Sequence, residues 1–224
     1  TEHRKALTKH LGRHAEALSS LFGVLNYLVH TSDKNKQPVI LKGNRASGNT
    51  LNRDGYEQWL SHHPAKPWRE ALELMAQAEV VEWSPSAPLM LKFNTLDGAE
   101  YLSGGWLEEY AWHCAKDAGL DDVYCGAQVT DESAPKDDIR NEFDLVAVHR
   151  NRMLLVECKT GRMDDQGPEQ QVLHKLHSLS EQSSGLFGTN VLLSAQSFGN
   201  SENHQRNIKR AASMQVQVMD GAAL

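Results

Sequence analysis

The stretch NEFDLVAVHRNRMLLVECKTG, residues 141–161, sets an Asp and a Glu inside two otherwise apolar runs, with a Lys two places after the Glu. In the first run Phe143, Leu145 and Ala147 alternate with Val146 and Val148; in the second Met153 and Leu155 alternate with Leu154 and Val156. Strands apolar on both faces belong inside a covered sheet. The connection HRNR allows a tight hairpin, and a two-residue loop at Arg150 and Asn151 or a four-residue loop gives the same register. His149 then faces Arg152, and counting outward sets Asp144 opposite Glu157, with Cβ atoms roughly 5 Å apart. A strand period of two brings Lys159 to that face and turns Cys158 to the other.

Three charges therefore converge on the most apolar strands of the chain. Burying an unpaired carboxylate costs several kcal/mol, and two adjacent ones also repel. A divalent cation removes the repulsion by taking oxygens from both, and Mg²⁺ in particular takes one or two carboxylates plus waters and substrate phosphate. The plain alternative is a salt bridge from Asp144 or Glu157 to Lys159 at solvated strand ends. Convergence of three charges weighs against it.

The chain has 224 residues, enough for one large domain or two small ones. It holds no apolar run of membrane-spanning length, and its start, TEHRKALTKHL, lacks the apolar core of a signal peptide. A cytoplasmic protein without a membrane partner is expected. Cys114, Cys125 and Cys158 are odd in number and form no CxxC pair, which excludes a disulfide framework or zinc ribbon and favours reduced thiols. A first residue of Thr is expected of a fragment of something longer. The net charge of −6 is uneven: residues 1–69 carry eleven Lys or Arg against five Asp or Glu, and residues 70–224 carry twelve against twenty-four. A basic front suits nucleic-acid contact and an acidic remainder suits metal chemistry.

Along the front, Leu7, Leu11, Leu18, Leu21, Phe22, Leu25 and Leu28 recur at helical spacing, weakened at Gly12 and Gly23. A polar Gly- and Asn-rich segment follows, with one strand-like patch at Val39 to Leu41. Pro67 then stands in the first turn of a helix, PWREALELMAQAEV, ahead of the strands VVEWS and LMLKF. Helix followed by hairpin is the outline of a winged helix. Leu96 to Ser103 reads as a junction, which places a smaller α+β, winged-helix-like domain at residues 1–98 and a second domain at 99–224. The second has the order helix, three strands, helix, strand, helix, strand, an α/β arrangement with a mixed central sheet flanked by helices.

Asp144, twelve residues, then Glu157-Cys158-Lys159 at a strand end resembles the PD-(D/E)XK motif of the restriction-endonuclease-like nucleases, with Phe143 where a Pro usually precedes the Asp. GGWLEEY is similar to the start of that superfamily's first core helix, which Gly104, Leu107, Glu108 and Ala111 match. Of the adjacent Glu108 and Glu109, about 100° apart on a helix, only one can face the site, and the match selects Glu108. Together with LHKLHSL, GLFG and VLLSAQ, these stretches resemble the C-terminal part of CRISPR-associated nucleases that couple a Rossmann-like cyclic-oligoadenylate sensor (CARF) domain to a nuclease domain. The resemblance covers the chain from about Gly104 and, more loosely, the front as the connecting domain. Residues 1–103 contain no βαβ sensor pattern.

The resemblance implies a metal-dependent endonuclease acting on DNA and/or RNA, a homodimer, with cyclic oligoadenylate acting only through a sensor outside this chain. Asp144, Glu157 and the Cys158 backbone carbonyl would hold Mg²⁺ or Mn²⁺, Glu108 would bind it directly or through water, and Lys159 would orient the attacking water or offset charge. Gln171 and Lys175 are further candidates for phosphate or water contact, and Arg206, Lys209 and Arg210 form a small basic patch. The rival readings are a nucleic-acid-binding regulator with an inactive nuclease-like dimerisation domain, and a small-molecule phosphoesterase. His10 and His14, four apart, have metal-capable spacing but no third ligand nearby, and the five Trp are read as core or interface residues.

Overall fold

Tyr101, Leu102 and Trp106, three bulky side chains within six residues, are all buried, and the chain divides just after them into two compact units, Thr1–Trp106 and Leu107–Leu224. The computed structural model describes residues 1–34, 50–52, 57–60, 63–86, 89–93, 95–129, 141–161, 172–174, 176–177, 188–197 and 202–220. Among them no helix is long and apolar enough to cross a membrane.

In the first unit α1 (Glu2–Arg13) starts on the Thr1 hydroxyl, which accepts the Arg4 N–H. After it comes α2 (Ser19–Lys34). The predicted stripe holds at Leu7, Leu11, Leu18, Leu21, Phe22 and Leu25, which are buried, and the Leu28 side chain lies outside the described ones. Helix α3 (Lys66–Gln77) has Pro67 in its first turn, where a missing N–H costs nothing, and buries Ala71, Leu72 and Met75. The expected hairpin follows as β3 (Val81–Ser84) and β4 (Met90–Phe93). Two strands that the sequence reading did not anticipate, β1 (Thr50–Asn52) and β2 (Glu57–Trp59), extend it to a sheet of order β1-β2-β4-β3. Each has three residues, too few for a period, and Glu57 gains Lys92 as its cross-strand partner. The strand-like patch at Val39 to Leu41 lies outside the described residues.

The expected junction is helical instead. Thr95 caps α4 (Leu96–Glu100) by accepting the Gly98 N–H, a π-helical turn (Tyr101–Gly105) follows, and α5 (Trp106–Asp117) continues directly. Gly98 is needed there for space: a Cβ would lie 2.6 Å from the Val80 carbonyl oxygen. The end of α5 is set by Gly119 at φ +76°, with the Gly119 and Leu120 N–H groups donating to the Lys116 and Ala115 carbonyls in a Schellman arrangement.

The second unit is built on a five-stranded sheet, β5 (Asp122–Val129), β6 (Asn141–His149), β7 (Arg152–Lys159), β8 (Gly188–Ser194) and β9 (Val216–Met219), in that spatial order. The first three strands are antiparallel, and β8 and β9 run parallel to β7. Helical residues 172–174 and 176–177 and helix α6 (Glu202–Ser213) bury Leu173, Leu176 and Ala211 with Leu192 and Val216. This is the expected α/β arrangement, a mixed central sheet flanked by helices.

Candidate active site

The β6–β7 hairpin turns on Arg150 and Asn151, both left-handed at φ +47° and +64°, which is the two-residue type I′ turn. It fixes the expected register, His149↔Arg152 through Leu145↔Val156. There the pairing stops, one step before Asp144 and Glu157. On the other side of β6 the register with β5 runs from Asp122↔Val148 to Cys125↔Leu145 and resumes at Ala127↔Phe143. The skipped residue is Gly126, at φ +60°, a conformation that costs a side-chain-bearing residue about 1–2 kcal/mol. Burial alternates along β6, with Phe143, Leu145 and Ala147 buried, and Phe143 packs with Leu155, Val146 and Met153.

The interrupted ladder frees main-chain and side-chain groups to meet. Counting on from Leu145↔Val156 sets Asp144 opposite Glu157, as expected, just beyond the last laddered pair. Asp144 Oδ2 accepts the Cys158 N–H at 2.6 Å, while the Lys159 ammonium donates to Glu157 Oε1 at 2.8 Å. Glu157 is 4% exposed and lies two residues from Lys159 on the same face of β7. Residues 157–159 thus gather both carboxylates and the cation, as the sequence predicted, but through the main chain of β7.

Electrostatics report the same crowding. Burial raises the Glu108 carboxyl, and so do the charges of Asp144, Glu142 and Glu157, with Lys159 opposing them. Burial pulls Lys159 down, but the hydrogen bond and charge of Glu157 and the charge of Asp144 outweigh it and hold the ammonium above its ordinary value. Glu108 therefore faces the cluster from α5. Its neighbour Glu109 turns to His113, 3.7 Å away and one helical turn on. Glu142 is a residue the sequence reading passed over, although it stands two places before Asp144 on the same strand. Burial and the Glu108, Glu109 and Asp144 charges push the Cys125 thiol up to about 11. Iodoacetamide should accordingly modify Cys125 slowly at pH 8, where roughly one thiol in a thousand is ionised. Mass spectrometry should show the rate rising about tenfold per pH unit, and rising at fixed pH in Glu108→Gln.

Asp144, Glu157 and Glu108 offer only carboxylate oxygens, the donors that hard cations such as Mg²⁺ and Mn²⁺ take. Among the described residues no group of three or more His, Cys, Asp or Glu stands close enough to hold an ion unaided. A cation held by these carboxylates would complete its shell with waters and phosphate. The His10 and His14 rings are 4.5 Å apart without forming such a group. Gln171 and Lys175 lie outside the described residues. Arg206, Lys209 and Arg210 are exposed on α6.

A family model described as "Card1-like, endonuclease domain" matches residues 97–222. The chain belongs to the Card1-like endonuclease domain family. No curated protein matches it. Among solved structures it is similar to protein VC1899 from Vibrio cholerae, with 20% identity and a TM-score of 0.72, over 99% of this chain and 52% of that one. It is also similar to Can2 from Sulfobacillus thermosulfidooxidans in complex with cyclic tetra-adenylate, with 14% identity and a TM-score of 0.65, over 96% of this chain and 52% of that one. The chain thus spans about half the length of each. These likenesses carry the fold, and the family model carries the endonuclease assignment.

Proposed function

We propose that this chain is the effector half of a CRISPR-associated defence nuclease, a cytoplasmic homodimer that hydrolyses phosphodiester bonds of DNA and/or RNA with Mg²⁺ or Mn²⁺. Cyclic oligoadenylate would govern it through a sensor domain outside this chain. The observation that carries the reading is the meeting of Asp144, Glu157 and Lys159 across residues 157–159 in a PD-(D/E)XK arrangement. The cyclic tetra-adenylate bound to Can2, and the half of that protein left unmatched, support the sensor.

Asp144 and Glu157, with the Cys158 carbonyl, would hold the ion and Glu108 would reach it directly or through water. What the ion supplies when bound is polarisation of the scissile phosphate and a lowered pKa for the attacking water. The Cys158 N–H fixes one oxygen of Asp144 and so orients the other. Lys159, held above its ordinary pKa, keeps its proton, and its role is to offset negative charge developing on the phosphate rather than to act as a base. Glu108, raised by burial and by the neighbouring carboxylates, is better matched than an ordinary carboxylate to accept a proton near neutral pH.

The test is incubation with supercoiled plasmid, single-stranded DNA and RNA, with Mg²⁺ or Mn²⁺ and with chelator. Metal-dependent cleavage of any of them is expected. Absence of cleavage even with the sensor-bearing protein and cyclic oligoadenylate would favour the nucleic-acid-binding regulator. In the same assay Glu108→Gln should lower the rate by about 10- to 100-fold, the usual cost of losing a supporting ligand, and Glu109→Gln should leave it near wild type.

A further inference from the structure

Toward the C-terminal end of β7 the ladder with β6 runs to Val156, and beyond it the Cys158 N–H donates to the Asp144 carboxylate. The side facing β8 is built up further. Strands β7 and β8 are parallel and paired through to Lys159↔Ser194, and the Ala195 N–H donates to the Lys159 carbonyl at 2.9 Å. One residue further, Gln196 Nε2 donates to the Thr160 carbonyl at 3.1 Å.

Gln196 is itself held. The Ser194 hydroxyl, in a side chain 1% exposed, donates to the Gln196 carbonyl at 2.9 Å and accepts the Gln196 N–H at 3.3 Å. That turn stops the chain from leaving the sheet directly after β8 and aims the Gln196 amide back at β7. Two bonds, one main-chain and one side-chain, therefore tie residues 159–160 to residues 195–196, beside the cation that meets Glu157.

We propose that Gln196, oriented by Ser194, is a positioning residue of the nuclease site: it clamps the main chain at Thr160 so that the Lys159 ammonium stays on the Glu157 side. The clamp matters because Asp144, the anchor on the β6 side, has a second task. If its carboxylate turns toward another partner, the bonds to β8 still hold the main chain of residues 159–160 in place. A bond formed through one amide hydrogen is also geometrically demanding, which suits a part whose purpose is alignment.

The proposal rests on the nuclease reading, and its test separates the two. Gln196→Met removes both polar atoms at similar length, and Gln196→Glu keeps the shape but loses the donor. For each, kcat and KM for cleavage are measured together with amide hydrogen exchange over residues 157–161 and 195. Both variants should fold as wild type, lose about 10- to 100-fold in kcat with KM unchanged, and exchange faster at these amides. Ser194→Ala should shift the same quantities in the same direction. Unchanged kcat, with or without faster exchange, overturns the proposal, as does a raised KM with kcat unchanged, which would make Gln196 a substrate contact. If wild type cleaves no nucleic acid, the nuclease reading fails. The exchange data then still decide whether the clamp exists, and unaltered exchange overturns it.

Discussion

Glu157→Ala should reduce metal-dependent cleavage by a factor of about 10² to 10³ or more, the cost of removing one preorganised group that meets transition-state charge. Glu157 has two roles that the substitution removes together. It is a buried carboxylate at the centre of the proposed cation site, and it is the acceptor that fixes Lys159 at 2.8 Å. Without it the lysine keeps the desolvation that opposes its charge and loses the leading contributions that offset it. Glu157→Gln separates the roles, because the amide oxygen still accepts from Lys159 while the negative charge is gone. Cleavage should fall by a similar factor in both variants, and thermal stability should fall less in Glu157→Gln. Cleavage by Glu157→Ala at the wild-type rate would move the active site elsewhere in the chain.

The contrast between Lys159 and Asp144 shows which part of the site a sequence can carry. Lys159 and Glu157 are two apart on one strand, so period two brings them together whatever the rest of the fold does. Their 2.8 Å contact was legible from spacing alone. The hairpin was also legible, because His149↔Arg152 follows from a two-residue loop in a stretch with apolar strands on either side. Asp144 depends on a third strand. Its ladder position opposes Gly126 on β5, whose left-handed backbone interrupts the pairing, and nothing local to Asp144 announces that. In the first unit, β1 and β2 escaped notice because segments of three residues, too short to show a period, gain strand geometry only by pairing with a neighbour already in place. Gln196 was out of reach because its role lies in a bond to a residue 36 positions away.

Trp106→Ala should destabilise the first unit by about 3–5 kcal/mol, the usual cost of deleting a buried Trp. The side chain is 0% exposed and stacks on Phe22 with ring centroids 4.7 Å apart and planes 7° from parallel. At about 4–8 °C per kcal/mol for a unit of this size, the melting temperature should drop by about 12 °C or more. Trp106→Phe should behave differently. Among the described residues the buried indole Nε1 has no hydrogen-bond partner, a defect that costs about 1–3 kcal/mol, and a phenyl ring keeps the stack while removing it. Loss of volume and loss of an unsatisfied donor oppose each other, so the net cost should stay under about 1.5 kcal/mol. Scanning calorimetry of the two variants reads the difference directly. If Trp106→Phe costs as much as Trp106→Ala, the indole N–H has a partner and the stack is the lesser contribution.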